Sequence, residues 1–134
     1  MRKLVFFLSI IIISSCDKEA GEGGTSTING KVIYFTTSYN TQTSSMDTIS
    51  FPKSEEDVYI IYSDNEEEIY DDNFETDWNG NFHFQFLRKG DYTIYTYADS
   101  TDVDNITYDY PVFQHITIEK NNSVNMLTDF IIQD

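Results

Sequence analysis

From Ile28 onward, apolar and aromatic side chains recur at every second position of the chain. Successive side chains of a β-strand point to opposite faces, so this period predicts strands with one buried side. No window keeps the helical period, and the ten Tyr and ten Phe favour strands as well. We therefore expect an all-β domain whose even-numbered residues form the core. The predicted core residues are Ile28, Val32, Tyr34, Val58, Ile60, Tyr62, Phe82, Phe84, Phe86, Tyr92, Ile94, Thr96, Ile116, Ile118, Val124, Met126, Phe130 and Ile132.

Turn signals separate the strands. Asn79 and Gly80 tolerate positive φ, as a two-residue hairpin turn requires, and Lys89 and Gly90 form a similar signal before the next strand. We expect residues 81–98 to form a hairpin and a weaker strand to lie near residues 68–72. This pattern predicts about seven strands in an antiparallel two-sheet sandwich, and 134 residues provide for one such domain.

Four segments carry a resemblance to a known family. They are ING-KV at residues 28–32, DVYIIY at 57–62, TDWNGNFHF at 76–84 and LRKGDYTI at 87–94. In this order they are similar to carboxypeptidase regulatory-like and Cna-B-like domains. The resemblance implies a transthyretin-like (prealbumin-like) sandwich that usually has no catalysis of its own. The polar insertion at 36–57 departs from the family pattern.

The N-terminus has the layout of a secretory signal. Arg2 and Lys3 precede an apolar stretch at residues 4–13 that only Ser9 interrupts. At about 1.5 Å per residue such a helix spans about half of a ~30 Å hydrocarbon core. We therefore expect a cleaved segment rather than a permanent transmembrane helix.

The sequence Ile13, Ser14, Ser15, Cys16 resembles the bacterial lipobox. The resemblance implies that the Cys16 thiol is diacylglycerylated, that the chain is cut before it, and that the new amine is acylated. We expect residues 1–15 to be a signal peptide, 16–27 a lipidated flexible linker of Gly-rich composition, and 28–134 the sandwich domain. Cys16 is the only cysteine, so an internal disulfide is excluded.

The residues after Cys16 bear on localisation. Asp17, Lys18 and Glu19 resemble the surface-export signal of Bacteroidota lipoproteins, whereas Asp directly after the cysteine resembles an inner-membrane retention signal of enteric bacteria. We expect a lipid-anchored protein of the cell envelope, at the outer membrane. The leaflet and surface exposure stay open.

The charge excludes one class of partner. With 8 basic and 23 acidic residues the formal net charge is −15, and neutralising phosphates requires clustered Lys and Arg. Nucleic acid is therefore not an expected partner. The expected partners are the membrane, through the lipid on Cys16, and another envelope protein, a peptide or a glycan.

Two features are candidate sites of chemistry. Asp99, Asp102 and Asp104 gather the oxygen ligands that Ca²⁺ prefers, but they lack the Gly and distal Glu of an EF-hand loop. We favour solvated loop acids there and expect no cofactor. His83 and His115 fall on outward positions, and no nucleophile and base pattern accompanies them. We expect no catalytic residues and no enzyme.

Several outward positions carry apolar side chains, which a monomer seldom exposes without use. If their strands are neighbours, these residues form a docking face in which tyrosines supply contact area and polar groups. The alternative is that the insertion at 36–57 covers them through Met46, Ile49 and Phe51. The predicted binding face comprises Ile33, Phe35, Tyr59, Ile61, Tyr95 and Tyr97.

These observations favour a non-catalytic envelope lipoprotein that acts as a binding or accessory module. A structural or assembly subunit of an envelope complex is the alternative, and a hydrolase is the remote one.

Replacing Cys16 by Ala should abolish lipidation, because the chain has no other thiol to accept a diacylglycerol. Metabolic labelling with a fatty-acid probe measures this directly. Continued labelling of the variant would exclude Cys16 as the acceptor.

Overall fold

The computed structural model describes residues 19–133, which form nine β-strands, and Cys16 with the predicted signal segment lies outside them. The strands are β1 (Glu22–Asn40), β2 (Ser45–Pro52), β3 (Asp57–Ile61), β4 (Asp72–Glu75), β5 (Asn81–Leu87), β6 (Gly90–Thr101), β7 (Thr107–Ile118), β8 (Val124–Met126) and β9 (Phe130–Gln133). Within residues 19–133 no helix has the length and apolar character needed to cross a membrane. The all-β prediction is confirmed, with nine strands rather than about seven.

The strands form two sheets, as predicted for a sandwich. In the five-stranded sheet, β1 pairs antiparallel with β2 and β5 and parallel with β8 and β9. The four-stranded sheet has the order β4-β3-β6-β7 and is antiparallel throughout. The two parallel pairings with β1 correct the prediction of a purely antiparallel sandwich.

The core lies between the sheets, and most of the even-numbered residues predicted for it are buried there. Tyr34, Tyr62 and Ile116 are half-buried and pack against it. Three predicted core residues are exposed instead, namely Phe86, Val124 and Met126. The confirmed buried positions are Ile28, Val32, Val58, Ile60, Phe82, Phe84, Tyr92, Ile94, Thr96, Ile118, Phe130 and Ile132.

A bulge in β5 explains the exposure of Phe86. Ser26 of β1 lies opposite Leu87, whereas Ile28 lies opposite Phe84, so β5 has one residue more than β1 at this point. Phe86 has a φ of 59°, which breaks the alternation. Leu87 takes the buried position in its place.

The parallel pairing of β8 explains the exposure of Val124 and Met126. These residues lie opposite Thr27 and Asn29, whose side chains are on the outer face of β1. Paired residues of neighbouring strands share a face, so Val124 and Met126 also point outward. Leu127 is buried instead.

The predicted hairpin at 81–98 is wrong. β5 pairs with β1 and β6 pairs with β3 and β7, so the short connection at Arg88 and Lys89 crosses from one sheet to the other. The predicted weak strand near 68–72 is displaced to β4 (Asp72–Glu75). Turn chemistry allows the chain to reverse, but it does not determine which strands then pair.

The insertion at 36–57 extends the five-stranded sheet. β1 continues to Asn40 and pairs with β2, from Ile33 opposite Pro52 to Asn40 opposite Ser45. Every residue of β2 is exposed. The second half of β1 and β2 therefore form a projecting hairpin.

Residues 22–27 belong to β1, so this part of the predicted linker is wrong. Arg88 holds the preceding segment against the domain. Its Nε donates to the carbonyl of Glu19 at 2.7 Å, and its Nη1 donates to the carbonyl of Glu22. The Gly21 N–H donates to the buried Tyr92 hydroxyl at 2.9 Å. Residues 19–22 are therefore held against the domain.

Two turns share one hydrogen-bonding scheme. Asp77 Oδ1 accepts from the N–H groups of Asn79 (2.8 Å) and Asn81 (2.9 Å). In the β6–β7 turn, Asp102 Oδ1 likewise accepts from the second and fourth residues after it, at 2.9 Å and 3.0 Å. The third residue after each aspartate has positive φ: Gly80 at 75° and Asn105 at 59°.

Replacing Gly80 by Val should lower the free energy of unfolding by about 1–3 kcal/mol, since a β-branched residue is strained at this φ. The new Cβ would also overlap the carbonyl oxygen of Val32. The matched control is Asn105→Gly, which should change stability by less than about 1 kcal/mol because Gly adopts positive φ readily. Urea denaturation measures both, and an unchanged midpoint for Gly80→Val would contradict the assigned turn.

Candidate functional site

Five aromatic rings form a connected cluster on the outer side of the four-stranded sheet. We call this cluster the tyrosine face, and it comprises Tyr59, Tyr70, Tyr95, Tyr97 and Phe113. Tyr59 stacks on Tyr95 with ring centroids 5.0 Å apart and planes 20° apart. Tyr97 meets both rings edge-on, at 6.0 Å and 5.8 Å. Tyr70 lies 4.8 Å from Tyr59, and Phe113 lies 5.2 Å from Tyr95.

Strand register positions the centre of the tyrosine face. Tyr59 of β3 lies opposite Tyr95 of β6, and Tyr95 lies opposite Phe113 of β7. Tyr97 is two residues further along β6 and therefore on the same side of the sheet. Tyr70 comes from the β3–β4 loop rather than from a strand. Three strands and one loop thus build the face.

The tyrosine face has a buried base and an exposed rim. Only 8% of Tyr95 is exposed, whereas Tyr97 is 41% and Tyr70 is 46% exposed. Because the packed rings have already lost conformational freedom, contact with a partner costs little further entropy. Their hydroxyls offer hydrogen bonds. The rim residues are thus the ones that a partner would touch.

The β3–β4 loop, residues 62–71, covers the part of the sheet next to the tyrosine face. Ile61 points outward and is nevertheless fully buried. The Thr93 hydroxyl donates to the carbonyl of Ser63 at 2.8 Å, and His115 Nε2 lies 2.8 Å from Glu66 Oε1. These contacts carry the loop across β6 to β7. The covering segment is therefore this loop, and the alternative of a cover by Met46, Ile49 and Phe51 is wrong, since these residues are exposed.

The six residues predicted as a binding face lie on two different sheets. Tyr59, Ile61, Tyr95 and Tyr97 are in the four-stranded sheet. Ile33 and Phe35 are in β1, where they pair with residues of β2 and β9, and both are half-buried. The structure does not bring these two residues to the tyrosine face, because β1 belongs to the other sheet.

Sequence reasoning missed Tyr70 and Phe113. Phe113 falls on an odd-numbered position of β7, so it carried the same signal as Tyr95, an aromatic residue on an outward position. Tyr70 carried no such signal, since its place over Tyr59 depends on the path of the loop.

Thr93, His115 and Glu66 lie in a line that resembles a catalytic triad. Thr93 Oγ1 is 3.0 Å from His115 Nδ1, and Nε2 of the same ring contacts Glu66. The Thr93 hydroxyl is fully buried, however, and it donates its proton to the Ser63 carbonyl. A nucleophile must reach its substrate and release its proton to a base, so the arrangement fastens the loop instead.

The three aspartates that carry the oxygen ligands Ca²⁺ prefers, Asp99, Asp102 and Asp104, do not converge. Asp102 uses its carboxylate to close the β6–β7 turn, and Asp99 lies earlier in β6, opposite Asp109. Within residues 19–133, no three His, Cys, Asp or Glu side chains are grouped in a way that could hold a metal ion.

Burial dominates the acid–base properties of the tyrosine face. Desolvation first, and then the neighbouring Tyr97 and Tyr59, raise the pKa of Tyr95 to about 12. The pKa of Tyr59 is also raised, first by desolvation and then by the carboxylate of Asp57. Desolvation likewise raises the pKa of Glu56, which accepts a hydrogen bond from Thr96 at 3.2 Å. Tyr59 and Tyr95 are therefore neutral at physiological pH.

No family model matches the chain, and no curated protein matches it. Among solved structures, the chain is similar to a candidate carbohydrate-binding protein from Pseudomonas aeruginosa. The TM-score is 0.47 at 14% sequence identity, over 86% of this chain and 92% of the other. A likeness at this level carries no argument about what this chain binds.

Alkaline pH should destabilise the fold through Tyr95. Its pKa rises from 10.0 in the unfolded chain to about 12 in the folded protein, so the unfolded state loses its proton first. The stabilisation is complete below the unfolded value and is lost as pH rises through the folded value. Urea midpoints should therefore fall above about pH 10, and Tyr95→Phe should show a smaller fall than the unmodified protein. An equal fall in both would contradict the assignment to Tyr95.

Proposed function

We propose that this protein is a lipid-anchored, non-catalytic binding module of a bacterial cell envelope, and that it contacts its partner through the tyrosine face. The lipobox-like residues that end at Cys16 support the anchor. The connected rings of Tyr59, Tyr70, Tyr95 and Tyr97 on the outer side of a sheet are the observation that carries the binding role.

A contact role explains why this surface is aromatic. The outer side of a sandwich sheet is normally polar, as Asn81, His83 and Gln85 are on β5. Tyrosine is enriched in interfaces because it combines a large apolar ring with a hydroxyl. Tyr70 and Tyr97 remain about half exposed although neighbouring rings pack on them. They are the residues on which a partner would bury further area.

The hydrogen bonds from Arg88 to the carbonyls of Glu19 and Glu22 bear on where a lipid anchor would hold the domain. Glu19, held by Arg88, is three residues beyond Cys16. Three extended residues span at most about 10 Å, so a lipid on Cys16 would hold the domain close to the bilayer. β1 and β6 both begin at the end of the domain where Glu19 lies, and both run away from it. The tyrosine face then lies on the side of the domain, where a neighbouring envelope protein can reach it.

Replacing both Tyr70 and Tyr97 by Ser tests the proposal in cells. Both side chains are about half exposed, so the variant should keep its melting temperature within a few degrees while partner crosslinking falls about tenfold. Tyr39→Ser with Tyr108→Ser is the matched control, because these tyrosines are 60% and 51% exposed and lie outside the tyrosine face. The control should keep both stability and crosslinks.

Two results would count against the binding face. A Tyr70 and Tyr97 variant that melts markedly lower and crosslinks to the same proteins would show that the rings serve stability alone. Copurification in fixed stoichiometry, unaffected by the variant, would favour an assembly subunit that uses another surface.

A further inference from the structure

Basic side chains are grouped at one end of the domain. Of the five Lys and Arg residues within 19–133, Arg88, Lys89 and Lys120 lie at the end that holds the N-terminal segment. Strand register brings them together, because Ile118, two residues before Lys120, lies opposite Gly90. A chain with a formal net charge of −15 repels anions as a whole, so anion binding requires such a local group.

A cavity of about 640 Å³ opens beside Arg88 and Lys89. Three backbone segments form its walls, namely residues 23–25 of β1, the connection at 88–90 and the turn at 121–122. Apart from the two basic residues, the walls consist of Gly, Thr and Asn, and none of the described residues that line the cavity is acidic. Small-molecule sites commonly have volumes of about 300–1,000 Å³. The cavity therefore has room for an anionic group and positive charge to attract it.

The walls of the cavity are held in place before any ligand arrives. Glu22 and Ser26 both lie opposite Leu87, so the residues between them bulge away from β5. The hydroxyl of Thr25, in this bulge, accepts from the Asn122 N–H at 3.0 Å and so fastens the β7–β8 turn to β1. A preformed site loses less conformational entropy when a ligand binds.

The two basic side chains at the cavity have no carboxylate partner within residues 19–133. Arg88 uses Nε and Nη1 for two backbone carbonyls, which are uncharged acceptors. No acidic side chain of residues 19–133 lies within ion-pair distance of Arg88 or Lys89. Asp91 is close in sequence, but its Oδ1 accepts from the Thr117 hydroxyl on β7 at 2.6 Å. Both cations can therefore attract an anion from outside the domain.

We propose that this cavity binds the phosphate of a phospholipid headgroup in the membrane that carries the lipid anchor. The proposal rests on the anchor in the proposed function and adds a second contact with the bilayer. Arg and Lys are the side chains that bind phosphate, Arg through its planar fork and Lys as a point charge.

The position of the anchor identifies the source of the phosphate. Arg88 holds Glu19, which is three residues beyond Cys16, so at most about 10 Å of chain separates Glu19 from the lipid. A tether this short keeps headgroup phosphates at a high effective concentration beside the cavity. An acidic peptide offers similar charge, but it would have to enter between the domain and the bilayer.

Amide NMR titration of the lipidated protein in maltoside micelles tests the cavity. The ligand is glycerophosphoglycerol, the headgroup of phosphatidylglycerol without acyl chains, and diglycerol is the control that lacks the phosphate. The phosphate compound should shift the amides of residues 23–25 and 88–90 at millimolar concentrations, and the shifts should weaken as salt screens the charges. Diglycerol should leave these amides unchanged.

A charge-reversed pair of variants separates the cavity from net charge. Lys89→Glu should weaken binding of the phosphate compound at least about tenfold, because it places a carboxylate at the cavity. Lys31→Glu changes the net charge equally, but Lys31 lies opposite Asn81, at the far end of β5, and should have little effect. Both variants should keep the melting temperature within a few degrees, which is measured in parallel.

Nanodiscs distinguish a headgroup from free phosphate. The lipidated protein is placed in discs of phosphatidylglycerol and phosphatidylcholine, or in discs of a neutral galactolipid that has no phosphate. An uncharged N-hydroxysuccinimide ester then acylates the lysines, and mass spectrometry gives the rate at each one. Lys89 should react at least about threefold more slowly in the phospholipid discs, because a bound phosphate shields its amine. Lys31 should react at the same rate in both.

Three outcomes would overturn the proposal: no amide shifts with the phosphate compound, equal weakening by the two Lys variants, or equal acylation of Lys89 in both kinds of disc. Amide shifts without protection in the discs would assign the cavity to a free phosphate instead, as would shifts in a protein whose Cys16 carries no lipid. If the amides do not shift while crosslinking in cells still depends on Tyr70 and Tyr97, the proposed function stands and the phosphate site is excluded.

Discussion

β1 holds the five-stranded sheet together, since every other strand of this sheet pairs with it. Its first part pairs with β5 and β8, and its later part pairs with β2 and β9. Val32 marks the change, with its N–H donating to Gly80 at 2.8 Å and its carbonyl accepting from Lys53 at 3.0 Å. Gly30 lets the Phe82 ring lie against the backbone, because a Cβ there would overlap the ring. A change that disturbs β1 would release four strands together.

The other sheet is organised by burial on both faces. Ile60 and Ile61 of β3 are both fully buried, and so are Thr93 and Ile94 of β6. The inner side packs on the core, and the outer side is covered by the β3–β4 loop or by the tyrosine rings. The Thr96 hydroxyl donates to the carbonyl of Asp57 at 2.9 Å, so this buried polar group is satisfied. The tyrosine face therefore lies on a sheet whose apolar side chains are buried and whose buried Thr96 hydroxyl is hydrogen-bonded.

The molecule has two ends of different character along the strand direction. At one end Arg88 holds the N-terminal segment, and Tyr92 accepts from Gly21. At the other end the β1–β2 and β6–β7 hairpins project with nearly all of their residues exposed. The tyrosine face lies between these ends.

The fold class and most of the core follow from the sequence, because a period of two reports which face of a strand is apolar. The positive φ of Gly80 follows from the sequence as well. Strand pairing depends on tertiary contacts instead, since the short turn after β5 serves a hairpin and a crossover between sheets equally well. The bulge at Phe86 and the parallel pairing of Val124 reversed the alternation locally. Tyr70 joined the tyrosine face through long-range contacts of its loop with Thr93 and His115, which no local pattern encodes.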